Sequence, residues 1–486
     1  MTYTRQIAEF MAQTRFEDLP PPVVHLAKVT ILDAIGCAFG GFSHDRSVIS
    51  RQVMESFGGL PEATVIGSDL KLSCIGAAYI NAHMANALCA DDIFCTLGHI
   101  AVAAFSPAFA MCERHKSTGK DLITAVAVGY EVASRIGLAV GKLTRIVNDK
   151  VEPLPVLGVG SWMSMASVAS VGSLLRLNPE QAINALGLQA HHAPMPTGRH
   201  TTLAPVMAMN RFCDTGWMAL GGIVSALMSK KGYTSFPAPG ILDGEYGFWR
   251  MIGAPSCDFD LMVDKLGEKW LFLEESFKRW PADTYIQHPL TALDILLEKH
   301  KFHPEEIERV TITGGLMYPN FFNQDPKTEA DAEFSVPHCA AMLILGIAPG
   351  PEWHTPEILN NPKVASLRHK VVLKADPAAV KIISDQIAKF PGVIREAPTT
   401  VKIDARGHTF SEFVKYHFGN NPWSEEFKMS DEDIKKKFRF NAASLLSAST
   451  VWRGSIERII DACMGLERIA NVEELGQLCR PGGREY

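Results

Sequence analysis

A chain of 486 residues is too long for one ordinary hydrophobic core, so two domains or more are expected. Hydrophobic residues make up 47% and charged residues 21%, the balance of a globular protein. The net charge of −6 gives no electrostatic case for a nucleic acid or an anionic membrane surface as partner.

No apolar run reads as long enough to span a bilayer. The opening stretch has Glu9 and Phe10 early and no uninterrupted apolar core, so no signal peptide is expected there. The ten cysteines contain no Cys-x-x-Cys pair. Most sit in apolar company and read as small buried hydrophobes, with a reducing cytoplasm the simplest setting.

From the N-terminus to about residue 235 the pattern is helical. Val23 to Phe39 follows three prolines and stops at Gly40 and Gly41. Asn81 to Asp92 is Ala-rich and helix-prone, with Asp91 and Asp92 at its end and His99 in the short turn beyond. Asp121 to Val140 and Ser161 to Leu175 are so poor in charge that both must be largely buried. Pro179 to Leu188 is a short helix with proline in its first turn, and Val206 to Ser229 is a further apolar helix. Near residue 275 the texture changes. Val310 to Thr313 and Thr399 to Tyr416 alternate as strands, the second with a hairpin turn at Arg406 and Gly407, and Pro289 to Lys299 reads as a helix between them. After Asn420-Asn421-Pro422 the chain is helical again, over Asp431 to Ala443 and Ser455 to Met464.

The expected fold is mainly α: a large all-α domain built from both chain ends (1–274 and 421–486) with an inserted α+β lid (275–420). There is no Gly-x-Gly-x-x-Gly after a strand, no P-loop and no His-Glu-x-x-His, so no cofactor and no metal are expected. Two adjacent carboxylates followed by a histidine are the raw material of general acid–base chemistry, because a shared environment can push their pKa values apart.

Six segments carry a resemblance. They are residues 27–41, the stretch from Asn81 to Asp92, and residues 118–137, 177–188, 277–283 and 334–346. In this order they resemble the MmgE/PrpD family, whose members include dehydratases, decarboxylases and epimerases of small acids. The resemblance implies a helical domain plus a lid, a homodimer, and cofactor-free proton abstraction or loss of carbon dioxide in a cleft between the domains. It also implies a divided site. Asn86 falls on the family's histidine, Cys89 on its first aspartate and Ile93 on its threonine, while Asp91 and Asp92 agree. His99 matches a downstream histidine one residue early. Lys278 falls on a lid lysine, and Asp283 stands where decarboxylases of the family carry a catalytic histidine. The family's histidine before a Gly/Ala-rich helix is replaced by Glu152 to Leu157, and a later cation by Leu203 to Val206.

The expected catalytic residues are therefore His99, Asp91, Asp92, Lys278 and Asp283, with Arg199, His200, Tyr318 and Cys89 at the substrate. For each a structural role stands beside the functional one. His99 can be a satisfied polar group at a helix start, and one of the two aspartates can cap the next helix. Lys278 can be a solvated surface lysine, Asp283 an ordinary loop residue, and Cys89 plain packing. Fewer cations suit a three-carboxylate substrate badly. The expected function is a cofactor-independent lyase acting beside a carboxylate or carbonyl, on acids other than methylcitrate or aconitate. Two alternatives remain open: an isomerase or epimerase using the same proton transfer, and a scaffold repurposed for a larger, more apolar metabolite.

Overall fold

The computed structural model describes the chain apart from residues 96–97, 142–143, 148–149, 156–158, 195–206, 212, 236–239, 317–318, 447–452 and 482–486. Helices α1 (Tyr3–Gln13), α2 (Pro21–Gly40) and α3 (Asp45–Ser56) come first, followed by a short antiparallel pair, β1 (Ala63–Thr64) and β2 (Lys71–Leu72). Next are α4 (Cys74–Asn86), β3 (Ile93–Phe94), α5 (Ala101–His115) and α6 (Gly119–Val140). The hairpin β4 (Thr144–Val147) and β5 (Lys150–Pro153) precedes α7 (Val159–Leu174), α8 (Pro179–His191) and α9 (Thr215–Lys230). Two short helices, α10 (Phe248–Met251) and α11 (Phe259–Val263), lead into β6 (Glu275–Ser276).

The ends of these helices follow from local chemistry. Pro21 fixes the first turn of α2, where a backbone N–H has no intrahelical partner to lose. Thr118 and Asp121 close a capping box at the start of α6, and Asn178 with Gln181 does the same for α8. Close crossings need missing side chains. A Cβ on Gly41 would lie 2.0 Å from the Met84 carbonyl, so the end of α2 can lie against the last turn of α4. On α6, a Cβ at Gly129 would come within 2.7 Å of the Ala166 carbonyl of α7.

Two of these helices correct the sequence reading. α2 and α6 are long and apolar enough to cross a membrane, yet 78% and 94% of their apolar windows are buried inside the protein. Their apolar surface packs against neighbouring helices. The apolar helix expected from Val206 starts instead at Thr215, because the Asp214 side chain accepts the Trp217 N–H and caps it there.

The rest of the chain is α12 (Gln287–His300), β7 (Ile307–Gly314), α13 (Glu329–Glu333), α14 (Val336–Ile344), α15 (Pro356–Leu359), α16 (Pro362–His369), β8 (Val371–Ala375), α17 (Pro377–Ala388), β9 (Thr399–Ala405) and β10 (His408–Val414). Its four strands form one sheet in the order β10-β9-β7-β8, with β7 and β8 parallel. Arg406 and Gly407, both at positive φ, make the β9–β10 hairpin turn. The sequence reading missed β8, an edge strand of five residues whose exposed end carries no alternation. Finally α18 (Asp431–Leu446) and α19 (Arg453–Met464) pack against α2, and α20 (Glu473–Leu478) follows. The fold is mainly α with a small α+β part.

Candidate active site

Helix α4 stops at Asn86, so Asp91 and Asp92 lie in the connection beyond it rather than on the helix. That connection turns through Cys89, whose φ of 51° is left-handed and costs a side-chain-bearing residue about 1–2 kcal/mol. Its carbonyl accepts the Lys278 Nζ at 2.7 Å, and its N–H donates to the Asn86 carbonyl at 3.1 Å. Register explains how Lys278 gets there. Strand β3 pairs antiparallel with β6 as Ile93 opposite Ser276 and Phe94 opposite Glu275. Continued by two residues, the same register sets Asp91 opposite Lys278. The Lys278 Nζ lies 4.0 Å from Asp91 Oδ1 and 3.4 Å from Cys89 Sγ.

Asp92 faces the other way. Its carboxylate accepts the N–H groups of Ile100 and Ala101, each at 3.1 Å, and the Tyr130 hydroxyl at 2.9 Å. It therefore caps the start of α5, the structural role that sequence left open for one of the pair. Burial, followed by the charge of Asp91, pushes its carboxyl up to about 8. Asp91 goes down instead. Burial alone would raise it, but His99, Lys278 and the Asn86 amide together hold it below its ordinary value. Two vicinal acids are thus driven apart, with the proton on Asp92 and the charge on Asp91.

The His99 Nδ1 lies 2.6 Å from the backbone carbonyl of Asp92 and 3.7 Å from Asp91 Oδ1. A carbonyl can only accept, so Nδ1 carries the hydrogen and the neutral ring holds its lone pair on Nε2. Burial first, then the positive charge of Lys278, lowers this imidazole to about 4, so it is neutral near pH 7. The ring is 5% exposed, Asp91 1% and Lys278 fully enclosed.

Asp283 is half-buried at the start of a short helical turn, where its Oδ1 accepts the Tyr285 N–H at 2.9 Å. Burial raises its carboxyl, and the charge of Lys278 opposes that. Cys89 is fully buried and its thiol is pushed up to about 12, so it is no nucleophile near neutrality. Arg199, His200 and Tyr318 lie outside the described residues. Among the described residues, donor atoms of Asp91, Asp92 and His99 lie within 4.8 Å of one another, a spacing a metal ion could use. The donor set argues against one: the Asp92 oxygens already accept three N–H or O–H groups, and the Lys278 ammonium lies 4.0 Å from Asp91 Oδ1, where its charge opposes a second cation.

Sequence reasoning missed the groups that hold this connection in place. Asn86 donates its Nδ2 to Asp91 Oδ2 at 2.8 Å and accepts the Arg46 Nη2 on its Oδ1 at 3.1 Å. Arg211, 1% exposed, donates to the carbonyls of Asn86 and Ala87 and pairs with Glu333 of α13. The signal for Asn86 was its place at a helix end, five residues before Asp91. Nothing local marked Arg46, Arg211 or Glu333. A cavity of about 410 Å³ is lined by Ala90, Trp280, Phe418 and Lys437 among others, and its described lining includes neither His99 nor Lys278.

Comparison with known proteins agrees with this architecture. The MmgE/PrpD N-terminal domain matches residues 5–258 and the MmgE/PrpD C-terminal domain residues 280–464. The chain belongs to the MmgE/PrpD family. It is similar to the cis-aconitate decarboxylase of Homo sapiens, at 26% identity over 94% of this chain and 90% of that protein. The Mus musculus cis-aconitate decarboxylase is 25% identical over 98% and 92%, and that of Aspergillus terreus 26% over 64% and 62%.

Proposed function

We propose that this protein is a lyase, a dehydratase or decarboxylase of the MmgE/PrpD type, acting on a small carboxylic acid by proton transfer through His99. Family membership and the decarboxylase relatives support the lyase class. One observation carries the mechanism: the hydrogen bond from His99 Nδ1 to the Asp92 carbonyl, which leaves Nε2 as the basic atom. In the proposed step Nε2 takes a proton from the carbon next to a carboxylate. The bonding pair passes into an enolate-like anion, and its charge is stabilised by the Lys278 ammonium. Loss of hydroxide, which leaves as water after taking that proton, completes a dehydration. In a decarboxylation the C–CO₂ bond breaks first and carbon dioxide leaves; the carbanion then takes a proton from a His99 imidazolium that was protonated from solvent as the substrate carboxylate bound beside it.

An imidazole near 4 is a weak base until charge is added beside it. An incoming carboxylate opposes the effect of Lys278 and raises the basicity of His99 as it binds. Among the described residues Lys278 already faces Asp91, so the cations they supply fit one or two carboxylates better than three. With the family reading go a homodimer, a lid over residues 275–420 and a small-molecule substrate. The ten free cysteines fit a cytoplasmic setting.

The test is direct incubation of the purified chain with cis-aconitate, 2-methylcitrate and a panel of shorter mono- and dicarboxylates, read by mass spectrometry. Loss of 18 or 44 mass units from a shorter acid, abolished in His99→Ala, is the expected result. No loss from any acid in the panel would sink the lyase reading. Deuterium appearing in unchanged substrate would move it toward isomerisation.

A further inference from the structure

We infer that Asn86 is a positioning residue for the proton-transfer site: its side-chain amide, oriented by Arg46, holds Asp91 as a carboxylate aimed at His99 and Lys278. The inference rests on the reading of His99 as the base, and it adds a residue that the sequence reading matched to another side chain.

The geometry leaves the amide one orientation. Arg46 Nη2 can only donate, so the atom of Asn86 facing it at 3.1 Å is the oxygen, and Nδ2 points to Asp91 Oδ2 at 2.8 Å. Arg46 is itself anchored on the carbonyls of His83 and Met209, and is 5% exposed. The Asn86 carbonyl is held separately, by Arg211 Nη1 at 2.8 Å. Asn86 is thus fixed at both backbone and side chain, with 0% exposure. The second oxygen of Asp91, Oδ1, receives no hydrogen bond from the described residues. It lies 3.7 Å from His99 Nδ1 without a hydrogen bond and faces the Lys278 Nζ at 4.0 Å by charge. The amide is therefore the one side chain that both hydrogen-bonds Asp91 and sets its direction among the described residues.

The charges facing Asp91 come from every side: His99 and Asp92 on its own connection, Lys278 beyond β6, Asp33 on α2, Glu333 on α13 and Lys437 on α18. Three of these are acids. A carboxylate among them stays ionised only if nearby cations and hydrogen-bond donors favour it. Asn86 supplies that donor with no charge of its own, so it does not compete with Lys278 for the anion that forms in the reaction. A histidine or lysine there would compete; an aspartate would add repulsion.

The experiment uses the full chain, labelled with ¹⁵N-histidine, in wild-type, Asn86→Ala and Asn86→Asp forms. A His99→Gln spectrum identifies the His99 ring among the 16 histidines. The activity profile and the ring titration are expected to move in opposite directions. Without the amide donor, Asp91 keeps its proton to higher pH, so the acid limb of kcat/KM rises by about one pH unit; its carboxylate also loses its aim at His99 and Lys278, so kcat at pH 7 falls about tenfold while KM holds within about twofold. A protonated Asp91 no longer supports the imidazolium, so the ring midpoint of His99 falls. Asn86→Asp is isosteric and keeps a partner for Arg46, so it guards against a simple packing defect; its added charge moves the acid limb further up, while the same charge favours the imidazolium, so the His99 midpoint falls less than in Asn86→Ala. Wild-type acid limbs and wild-type His99 midpoints in both variants would overturn the inference. The ring titration needs no turnover. Shifted ring signals in a protein that consumes no acid would remove the lyase reading and leave the role of Asn86 standing.

Discussion

Two of the buried charge clusters among the described residues differ in how completely their polar atoms are used. On α6, Arg135 donates Nε to Glu131 at 2.6 Å and spends the rest of its guanidinium on the carbonyls of Met262, Asp264 and Lys269. Glu131 accepts the Phe272 N–H at 2.8 Å with its other oxygen. That pair is saturated and can only hold α6 against the segment before β6. Around His99 the accounting stays open. Asp91 meets His99 and Lys278 across 3.7 and 4.0 Å without a hydrogen bond, beside a second acid. Saturated buried charge is architecture. Charge held close but incompletely bonded is costly, and is kept where its protonation states are used.

The comparison predicts opposite phenotypes. His99→Ala should lower kcat/KM on the true substrate by about 10²–10⁴, with a melting temperature within a few degrees of wild type. If activity survives, the open cluster is not the reacting one. Arg135→Ala should behave in reverse, destabilising the fold by about 3–5 kcal/mol in urea titrations because it leaves Glu131 buried and unpaired. Any folded fraction should keep its activity per active site. Lys278→Met should fall between them, costing about 10²–10³ in kcat while removing the charge that lowers His99, so the acid limb of the activity profile moves up in pH.

A smaller effect concerns stability against pH. Burial raises Glu113 and Glu329 to about 7, and burial with the charge of Asp91 raises Asp92 to about 8. Unfolded carboxylates have lost their protons near pH 4, so in the window above that the native state binds more protons than the unfolded one. Stability from these groups is therefore lost as pH rises through about 7 to 8. Above about 6.5 the unfolded histidines are already neutral and no longer offset it. Urea midpoints should fall between pH 6.5 and 8.5, and Glu113→Gln should flatten part of that fall. The smallest effect is expected at Asp283. Asn caps as well as Asp, so Asp283→Asn should change stability by less than about 0.5 kcal/mol. A large loss of kcat there would move Asp283 from the frame of the site into its chemistry.

Much of the fold was legible because helix signals are local. The prolines at the start of α2, the low charge of α6 and the Arg406–Gly407 turn each act within a few residues. Asp214 shows the limit. An apolar run from Val206 onward looks helical throughout, and only the cap reveals where the helix begins. The site was half legible. In the candidate site, vicinal acids and a nearby histidine are raw material for proton chemistry, but the sequence does not say which acid holds the charge. Nothing near Arg46, Arg211 or Glu333 in the chain points to Asn86 or to the carbonyls beyond it.

The order of residues alone determined that this chain would be mainly helical, which helices must be buried, and that Asp91, Asp92 and His99 would lie within one short span. Those are consequences of short-range backbone and side-chain preferences, which act wherever the chain goes. Tertiary structure decided the rest. A two-residue pairing of β3 with β6 sets Lys278 across from Asp91, almost two hundred positions away in the chain, and the start of α5 claims Asp92 as its cap. Electrostatic energy depends on distance in space and on burial, and neither is written at the level of the sequence.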